Sequence, residues 1–341
     1  MTTDSLDIEH PGELEAYLLQ TGRVGPEEKI AVLPLAGGVS NRTVLVRRPC
    51  GEDWVVKQAL PKLRVATDWF SDPSRVEREA VGMRWLAELA PRRSIPHLIF
   101  EDPGFHLLAM EAVPTPHENW KHLLLAGQID LNRVRQFAWL LGTIHRRAWQ
   151  RRDEIALVFA ERRFFESLRL EPYYAFTATQ VPAAAAAFLQ ILTDQTRRIG
   201  DTLVHGDYSP KNILLRGPEM VLLDHEVIHW GDPAFDVGFS MAHFLSKAHR
   251  LAGARRALAD ACRRYWREYV QAIGPVGWLD GLERRAVRHT LACLLARVAG
   301  RSPLEYLDDM LRIRQREAVL PLMGHPVSTV DDLIDSFLSR V

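Results

Sequence analysis

One short stretch of the chain places acidic, basic and amide side chains at spacings suited to phosphate chemistry. It reads His205-Gly206-Asp207-Tyr208-Ser209-Pro210-Lys211-Asn212, and Asp224 follows twelve residues after Asn212. Phosphoryl transfer needs a carboxylate that orients an attacking hydroxyl, and oxygen ligands that hold magnesium on the phosphates. Asp207 suits the first task, while Asn212 and Asp224 offer the oxygen atoms that a hard cation prefers. Lys211 could neutralise a transferring phosphoryl oxygen.

These residues predict a kinase with Asp207 and Lys211 as catalytic residues and Asn212 and Asp224 as metal ligands. A His-Gly-Asp tripeptide alone would fit a polar turn equally well, because Asp and Asn side chains often satisfy local backbone groups. The predicted hairpin at 213–223, which carries the chain from Asn212 to Asp224, favours the functional interpretation.

A second candidate is a glycine loop between two predicted strands. Gly37 and Gly38 would let backbone amide groups approach a phosphate, and Ser40 could add a hydroxyl donor. A glycine pair between strands is also typical of an ordinary hairpin turn. The interpretation of this segment as a phosphate-binding loop therefore depends on a lysine further along the chain.

That lysine is Lys57 in the predicted strand 54–59. Strand alternation puts it on the same face as Val55, which is the cleft side if the glycine loop folds over the strand. Its ammonium group would reach nucleotide phosphates, and a carboxylate of the next helix would position it. We expect Glu79 in that role, since Glu77 falls on a different helix face. The alternative is a surface lysine that extends to solvent.

The elements that position these residues divide into two groups. A helix at 11–22, strands at 30–35, 42–48, 54–59, 97–101 and 105–110, and a helix at 73–90 predict a small mixed β-sheet. Beyond the segment 111–116, helices are predicted at 130–149, 161–169, 182–199, 233–249, 254–273, 280–300, 303–319 and 329–340. Short strands are predicted at 202–204, 213–216 and 220–223. The fold class is therefore α+β, with an N-terminal lobe at 1–112 and a helical C-terminal lobe at 113–341.

The overall composition limits the kinds of binding partner that we expect. The 341 residues contain 43 Lys and Arg against 43 Asp and Glu, so no overall field favours nucleic acid or an anionic membrane. The N-terminus shows no apolar signal core, and the three cysteines lack metal-ligand spacing. We expect a cytoplasmic protein, monomer or homodimer, that acts on a small molecule.

The motifs HGDYSPKN at 205–212, LLDHE at 222–226 and GDPAFD at 231–236 resemble the aminoglycoside phosphotransferase and choline kinase family. The resemblance covers about residues 28–300 and implies a protein-kinase-like fold with ATP and Mg²⁺ as cofactors. It also implies that Lys57 and Glu79 serve the ATP phosphates and that Ser40 lies near the γ-phosphate. Met110, Glu111 and Val113 would belong to the hinge that binds adenine. Asp236 would brace the catalytic loop, and His145 is expected to be a core histidine.

The substrate stays open at this point. Residues 57–61 (KQALP), with Arg64 and Trp69, resemble methylthioribose kinase, while choline-type and fructosamine-type kinases and a nucleotide-binding pseudokinase are further alternatives. A protein kinase is disfavoured because Pro233 follows Asp224 by only nine positions, which leaves little room for a peptide platform. From Ser240 onwards basic residues exceed acidic ones by about five. Coulomb repulsion therefore disfavours a polycationic antibiotic and favours a neutral or anionic hydroxyl compound.

Overall fold

The computed structural model describes residues 6–35, 38–49, 51–65 and 68–341. The expectation for Gly37 therefore lies outside the described residues. The predicted α+β class is confirmed: a small sheet with two helices precedes a mainly helical remainder.

The first sheet has five strands. They are β1 (Ala31–Pro34), β2 (Asn41–Arg47), β3 (Trp54–Ala59), β4 (Leu98–Asp102) and β5 (Leu107–Glu111), in the order β1-β2-β3-β5-β4. Every pair is antiparallel, so the prediction of a mixed sheet is wrong in this detail. The helix between β3 and β4 carries the chain to the far edge. Strand β5 then returns between them and prevents the parallel pairing that a strand-helix-strand unit would form.

Two helices pack on opposite sides of this sheet. Helix α1 (Pro11–Gln20) begins with proline at its first turn, which suits the free amide positions there, and it buries Leu14 and Leu18 against the sheet. Helix α2 (Arg75–Leu89) buries Val76, Ala80 and Met83 against β5. The apolar spacing of α2 therefore fixes which of its faces, and hence which acidic side chains, meet the cleft.

The remainder of the chain is mainly helical. Its helices are α3 (Trp120–Leu125), α4 (Leu131–Gln150), α5 (Arg152–Ile155), α6 (Arg163–Phe165), α7 (Phe176–Ala178), α8 (Ala183–Arg198), α9 (Pro233–Arg250), α10 (Arg255–Ile273), α11 (Leu282–Ala299), α12 (Asp309–Gly324) and α13 (Val330–Leu338). A ten-residue π-helix, Glu166–Ala175, joins α6 to α7. Helix α9 is buried along nearly its whole length, so it forms the axis of the core. No described helix combines the length and the apolar character needed to cross a membrane.

Short strands interrupt the helices where the candidate site lies. They are β6 (Glu118–Asn119), β7 (Thr202–Val204), β8 (Ile213–Arg216), β9 (Glu219–Leu222) and β10 (His229–Gly231). Strands β6, β8 and β9 form one sheet, and β7 pairs with β10. The two-residue β6 and the three-residue β10 were not predicted, because runs of that length carry no periodicity. The helix predicted at 303–319 begins only at Asp309, where the Asp308 side chain caps it.

Candidate active site

The loop 205–212, predicted to be the catalytic loop, leaves β7 through a turn that only glycine accommodates. Gly206 has φ +78°, and a Cβ atom there would lie 2.8 Å from Cγ2 of Val227. The turn places Asp207 at the junction of the small sheet and the helical part, where it is 3% exposed. A carboxylate that is this well buried is costly unless its surroundings compensate for the charge.

Asp236, in the first turn of α9, holds this loop in place through hydrogen bonds. Its carboxylate accepts hydrogen bonds from the amide groups of His205 (2.7 Å) and Gly206 (2.8 Å). His145 lies 3.3 Å from the same carboxylate and 2.8 Å from the hydroxyl of Tyr269, and it is fully buried. These contacts match the structural parts expected for Asp236 and His145.

We expect Asp236→Ala to lower the free energy of unfolding by about 3 kcal/mol or more, since two buried backbone donors lose their acceptor. Chemical denaturation followed by circular dichroism measures this loss. Asp236→Asn retains an acceptor oxygen of the same size and should lose less. Equal losses in the two variants would contradict the role of the loop amide groups.

The Asp207 carboxylate is shared among three neighbours. Arg169 Nη2 lies 2.9 Å from Oδ1, Lys211 Nζ lies 2.8 Å from Oδ2, and Asn212 donates to Oδ2 at 2.8 Å. Burial alone would raise the pKa of Asp207, but the charges of Arg169 and Lys211 outweigh it and hold that pKa below its usual value. Oδ1 is buried and accepts no hydrogen bond of good geometry from the described residues. Asp207 is therefore ionised, and Oδ1, which among the described residues is paired only with Arg169, is the oxygen that retains acceptor capacity for an incoming hydroxyl.

Arg169 was not predicted from the sequence. It lies on the π-helix, 38 positions before Asp207, and it also donates to the carbonyl oxygen of Gly206 at 2.7 Å. No local motif marks it, because the π-helix that directs it towards the loop has no sequence signature of its own. Arg169 therefore hydrogen-bonds the backbone of the catalytic loop and compensates for the charge of Asp207.

Asn212 and Asp224 lie at the two ends of the β8–β9 hairpin. The amide of Leu223 donates to the carbonyl of Asn212 at 2.9 Å and closes the hairpin. Asp224 has φ +67°, a rare conformation for a residue with a side chain and one that is common at functional sites. The Asn212 side-chain amide group donates twice to Asp207, which leaves its Oδ1 turned away from these bonds.

This donor set fits magnesium bound together with phosphates. Mg²⁺ is usually held by one or two protein oxygen ligands plus phosphate oxygens and water. Within the described ranges no three His, Cys, Asp or Glu side chains converge on a metal position, so the protein offers no complete cage of these groups. Asp224 is partly exposed, and its Oδ2 accepts no hydrogen bond from the described residues. Asn212 Oδ1 and Asp224 Oδ2 are therefore the atoms that would hold the ion.

Lys57 contacts two carboxylates. The sequence predicts one of these contacts, with Glu79. Its Nζ is 2.8 Å from Oε1 of Glu79, and it also contacts Oδ1 of Asp224. Burial would lower the pKa of Lys57, but Asp224 and Glu79 raise it above its usual value. Burial raises the pKa of Glu79, against the charge of Lys57. Lys57 therefore stays charged and links the sheet to the end of the β8–β9 hairpin.

The glycine loop is joined to the same hairpin through Glu226, a second contact that the sequence did not reveal. Ser40 Oγ donates to Glu226 Oε1 at 2.9 Å, and Asn41 donates to Oε2 at 3.1 Å. Arg75 is fully buried and lies 3.0 Å from Glu226, and it also donates to the carbonyl oxygen of Ser40. Gly38 is exposed at the tip. The Ser40 hydroxyl thus lies in the cleft, but it is already hydrogen-bonded to Glu226.

The hinge residues cross from the sheet to the helical part. Met110 is buried opposite Val55 on β3. The amide of Glu111 donates to His97, and that of Ala112 donates to Asp53. The amide of Val113 donates to no backbone carbonyl among the described residues. Of these three successive amide groups, only that of Val113 is available to a ligand.

The structure therefore brings together Lys57, Glu79, Asp207, Lys211, Asn212 and Asp224, with Ser40 at one side and the hinge beyond. A cavity of about 250 Å³ borders Glu111 and Val113, but none of the six charged and amide residues lines it. This fold and this site define a phosphotransferase of protein-kinase-like architecture that acts on a hydroxyl group.

Comparison with known proteins identifies the group within that class. Residues 31–273 match the model of the phosphotransferase enzyme family (APH), so the chain belongs to this family. The resemblance seen in the sequence motifs is thereby confirmed. The methylthioribose kinase of Pectobacterium carotovorum subsp. carotovorum (strain PC1) is 22% identical over 391 residues, which cover 95% of this chain and 95% of that protein.

Solved structures share the fold. Amicoumacin kinase hAmiN, in complex with AMP-PNP, Ca²⁺ and Ami, has a TM-score of 0.57 at 14% identity, over 94% of this chain and 96% of that one. The choline kinase of Cryptosporidium parvum Iowa II has a TM-score of 0.54 at 13% identity, over 98% of each chain. At these identities the likeness extends to the fold alone.

Proposed function

We propose that this protein is an ATP- and Mg²⁺-dependent kinase that transfers the γ-phosphate to a hydroxyl group of a small molecule. The observation that carries the proposal is the convergence of Asp207, Asn212 and Asp224 with Lys57 around one cleft. Residues 1–112 would form the nucleotide-binding lobe, and residues 113–341 would supply the catalytic loop and the substrate site. Amicoumacin kinase, which has a related fold, has been solved in complex with AMP-PNP. This supports a nucleotide as the phosphoryl donor.

The nucleotide and its metal would supply a phosphoryl group whose charge is already partly neutralised. Lys57, held by Glu79, would bind the phosphates from the sheet side, and Asn212 with Asp224 would hold the ion. The free amide of Val113 suits a hydrogen bond to the base at the hinge.

Asp207 would orient the acceptor hydroxyl through Oδ1 and receive its proton late in the transfer. A strong base is unnecessary, because the transition state of phosphoryl transfer is loose and the proton moves near its end. Lys211, 2.8 Å from Oδ2, suits an oxygen of the transferring group and prevents charge from accumulating there. Arg169 would keep Asp207 ionised and in place without contacting the substrate.

The proposal is tested by ADP release from Mg-ATP against a panel of sugars, polyols, amino alcohols and hydroxylated antibiotics. We expect turnover with at least one class of compound, and loss of that turnover when EDTA removes Mg²⁺. Tight binding of Mg-ATP without transfer to any member of the panel would instead favour a pseudokinase.

A further inference from the structure

A group of basic side chains, three of them buried and one partly exposed, lies beside the catalytic loop and is not used by the chemistry described above. We call Lys121, His243, Lys247 and Arg297 the basic cluster. Lys247 is 0% exposed, His243 3% and Arg297 6%. They come from three helices, α3, α9 and α11, so their convergence is a feature of the tertiary fold.

The basic cluster adjoins the catalytic carboxylate. The guanidinium of Arg297 lies 4.9 Å from the ring centre of Tyr173 and 5.3 Å from that of Phe239. Arg169, which pairs with Asp207, lies over the same two rings at 5.8 and 5.9 Å. On the other side, Asn119 donates to the carbonyl oxygen of Lys211 at 2.7 Å and so places Lys121 next to the loop. The cluster therefore borders the position where an acceptor hydroxyl would meet Asp207.

Several buried polar atoms at the cluster are donors without acceptors in the described part of the chain, although Nη1 of Arg297 donates to the carbonyl oxygen and the hydroxyl of Ser302, both at 3.0 Å. Arg297 Nη2 is 3.3 Å from His243 Nε2 and can only donate, so the proton of the neutral imidazole is on Nδ1. Nδ1 of His243, Nε of Arg297 and the hydroxyl of the neighbouring Tyr306 are all buried without a partner among the described residues. Lys247 makes one hydrogen bond, to the carbonyl of His243 at 3.3 Å. Unpaired buried donors are costly, and an acceptor with several lone pairs would satisfy them together.

Acidic groups do not balance the cluster. Glu305 contacts Lys121 at the solvent-facing edge and is 64% exposed. Asp207 is already paired with Arg169 and Lys211. The interior around Lys247 therefore keeps an excess of positive charge, which repels a polycation and attracts an anion.

We propose that the basic cluster is the subsite for an anionic group, a carboxylate or a phosphate, on the hydroxyl-bearing substrate. This inference rests on the proposed kinase function and names the substrate class for it. Lys247 and Arg297 would bind the anion, and the Lys121–Glu305 ion pair would border its entrance. An aminoglycoside, which carries several positive charges, would be excluded.

Two measurements test the proposal, and the first, on Lys247→Met, is independent of catalysis. The first is calorimetric binding of inorganic phosphate without nucleotide, for which we expect about tenfold or greater weakening in the variant, since a buried charge-assisted bond is lost. The second is ADP release with glucose, glucose 6-phosphate, gluconate and glucosamine. We expect the phosphate or the carboxylate compound to be preferred, and the comparison of those two identifies which anion the subsite takes.

Lys29→Met is the matched control, since it removes one exposed lysine charge from the segment before β1, outside the basic cluster. Phosphate binding that is equal in Lys247→Met and Lys29→Met, or a preference for glucosamine, would overturn the subsite. Phosphate binding that only Lys247→Met weakens, together with no ADP release from any compound, would support the subsite and count against the kinase function.

Stability provides a further check that Lys247 has no anionic partner within the protein. Burial and the charges of Lys121 and Arg297, opposed by Glu305, lower the pKa of Lys247 to about 7. The folded state therefore carries the cost of a buried charge below pH 7, and that cost disappears as the pH rises towards the unfolded value. Lys247→Met should raise the thermal midpoint, and by more at pH 6 than at pH 9. A lower midpoint at both pH values would reveal an anionic partner within the protein and overturn the proposal.

Discussion

Asp207→Asn should reduce phosphoryl transfer by about a thousandfold while the protein keeps its fold, a loss at the level expected for one general base. The change replaces an anionic oxygen by an amide group of the same size. The amide cannot accept the hydroxyl proton, and it no longer balances the charges of Arg169 and Lys211. Steady-state ADP release from Mg-ATP, with the best compound of the panel, measures the effect.

The fold of this variant is checked by circular dichroism and by its affinity for Mg-ADP, which should stay within a few-fold because Asp207 does not hold the nucleotide. Asp153→Asn is the matched control, since Asp153 is exposed at the start of α5. Retained turnover in Asp207→Asn would remove Asp207 from the chemistry and with it the proposed assignment of roles.

Asp224→Asn should weaken the apparent affinity for Mg²⁺ by about a hundredfold or more, because loss of even an indirect partner of a metal ligand costs a factor of this order. The neutral amide retains an oxygen but loses the charge that attracts the cation. It also releases Lys57 from one of its two carboxylates. Turnover as a function of Mg²⁺ concentration gives the affinity, and high Mg²⁺ should restore part of the rate.

A variant that merely distorts the hairpin would respond differently. In that case the rate would fall at every Mg²⁺ concentration, with no change in the concentration needed for half-maximal turnover. Such a result would contradict Asp224 as a metal ligand while leaving the rest of the site intact.

The parts of the site that the sequence predicts are those governed by local geometry. Asp207, Lys211 and Asn212 lie within one loop, and a short hairpin fixes where Asp224 follows. Lys57 and Glu79 were paired by strand alternation and helix periodicity, which place side chains reliably over such distances.

The contacts that escaped prediction join residues far apart in the chain. Arg169 reaches Asp207 from a π-helix, and Arg75 reaches Glu226 across 151 positions. Nothing in the local pattern distinguishes these arginines from the many exposed ones. The antiparallel pairing of the sheet likewise depends on where β5 inserts among the other strands. The sequence of elements along the chain leaves that position open. Pairing of this kind is decided by tertiary packing rather than by propensity.

The hairpin that carries Asn212 and Asp224 has a consequence for how product could depart. Its two ends are tied by the bond between Leu223 and Asn212, so the spacing of the two proposed oxygen ligands is set within a single unit of the helical part. Lys57 and Ser40, by contrast, reach that unit from the opposite side of the cleft. Rotation of the small sheet away from the helices would break these and other bridging contacts, such as Arg75–Glu226, but not the bond that closes the hairpin. In the proposed kinase such an opening would release spent nucleotide and leave Asn212 and Asp224 in position for the next cycle.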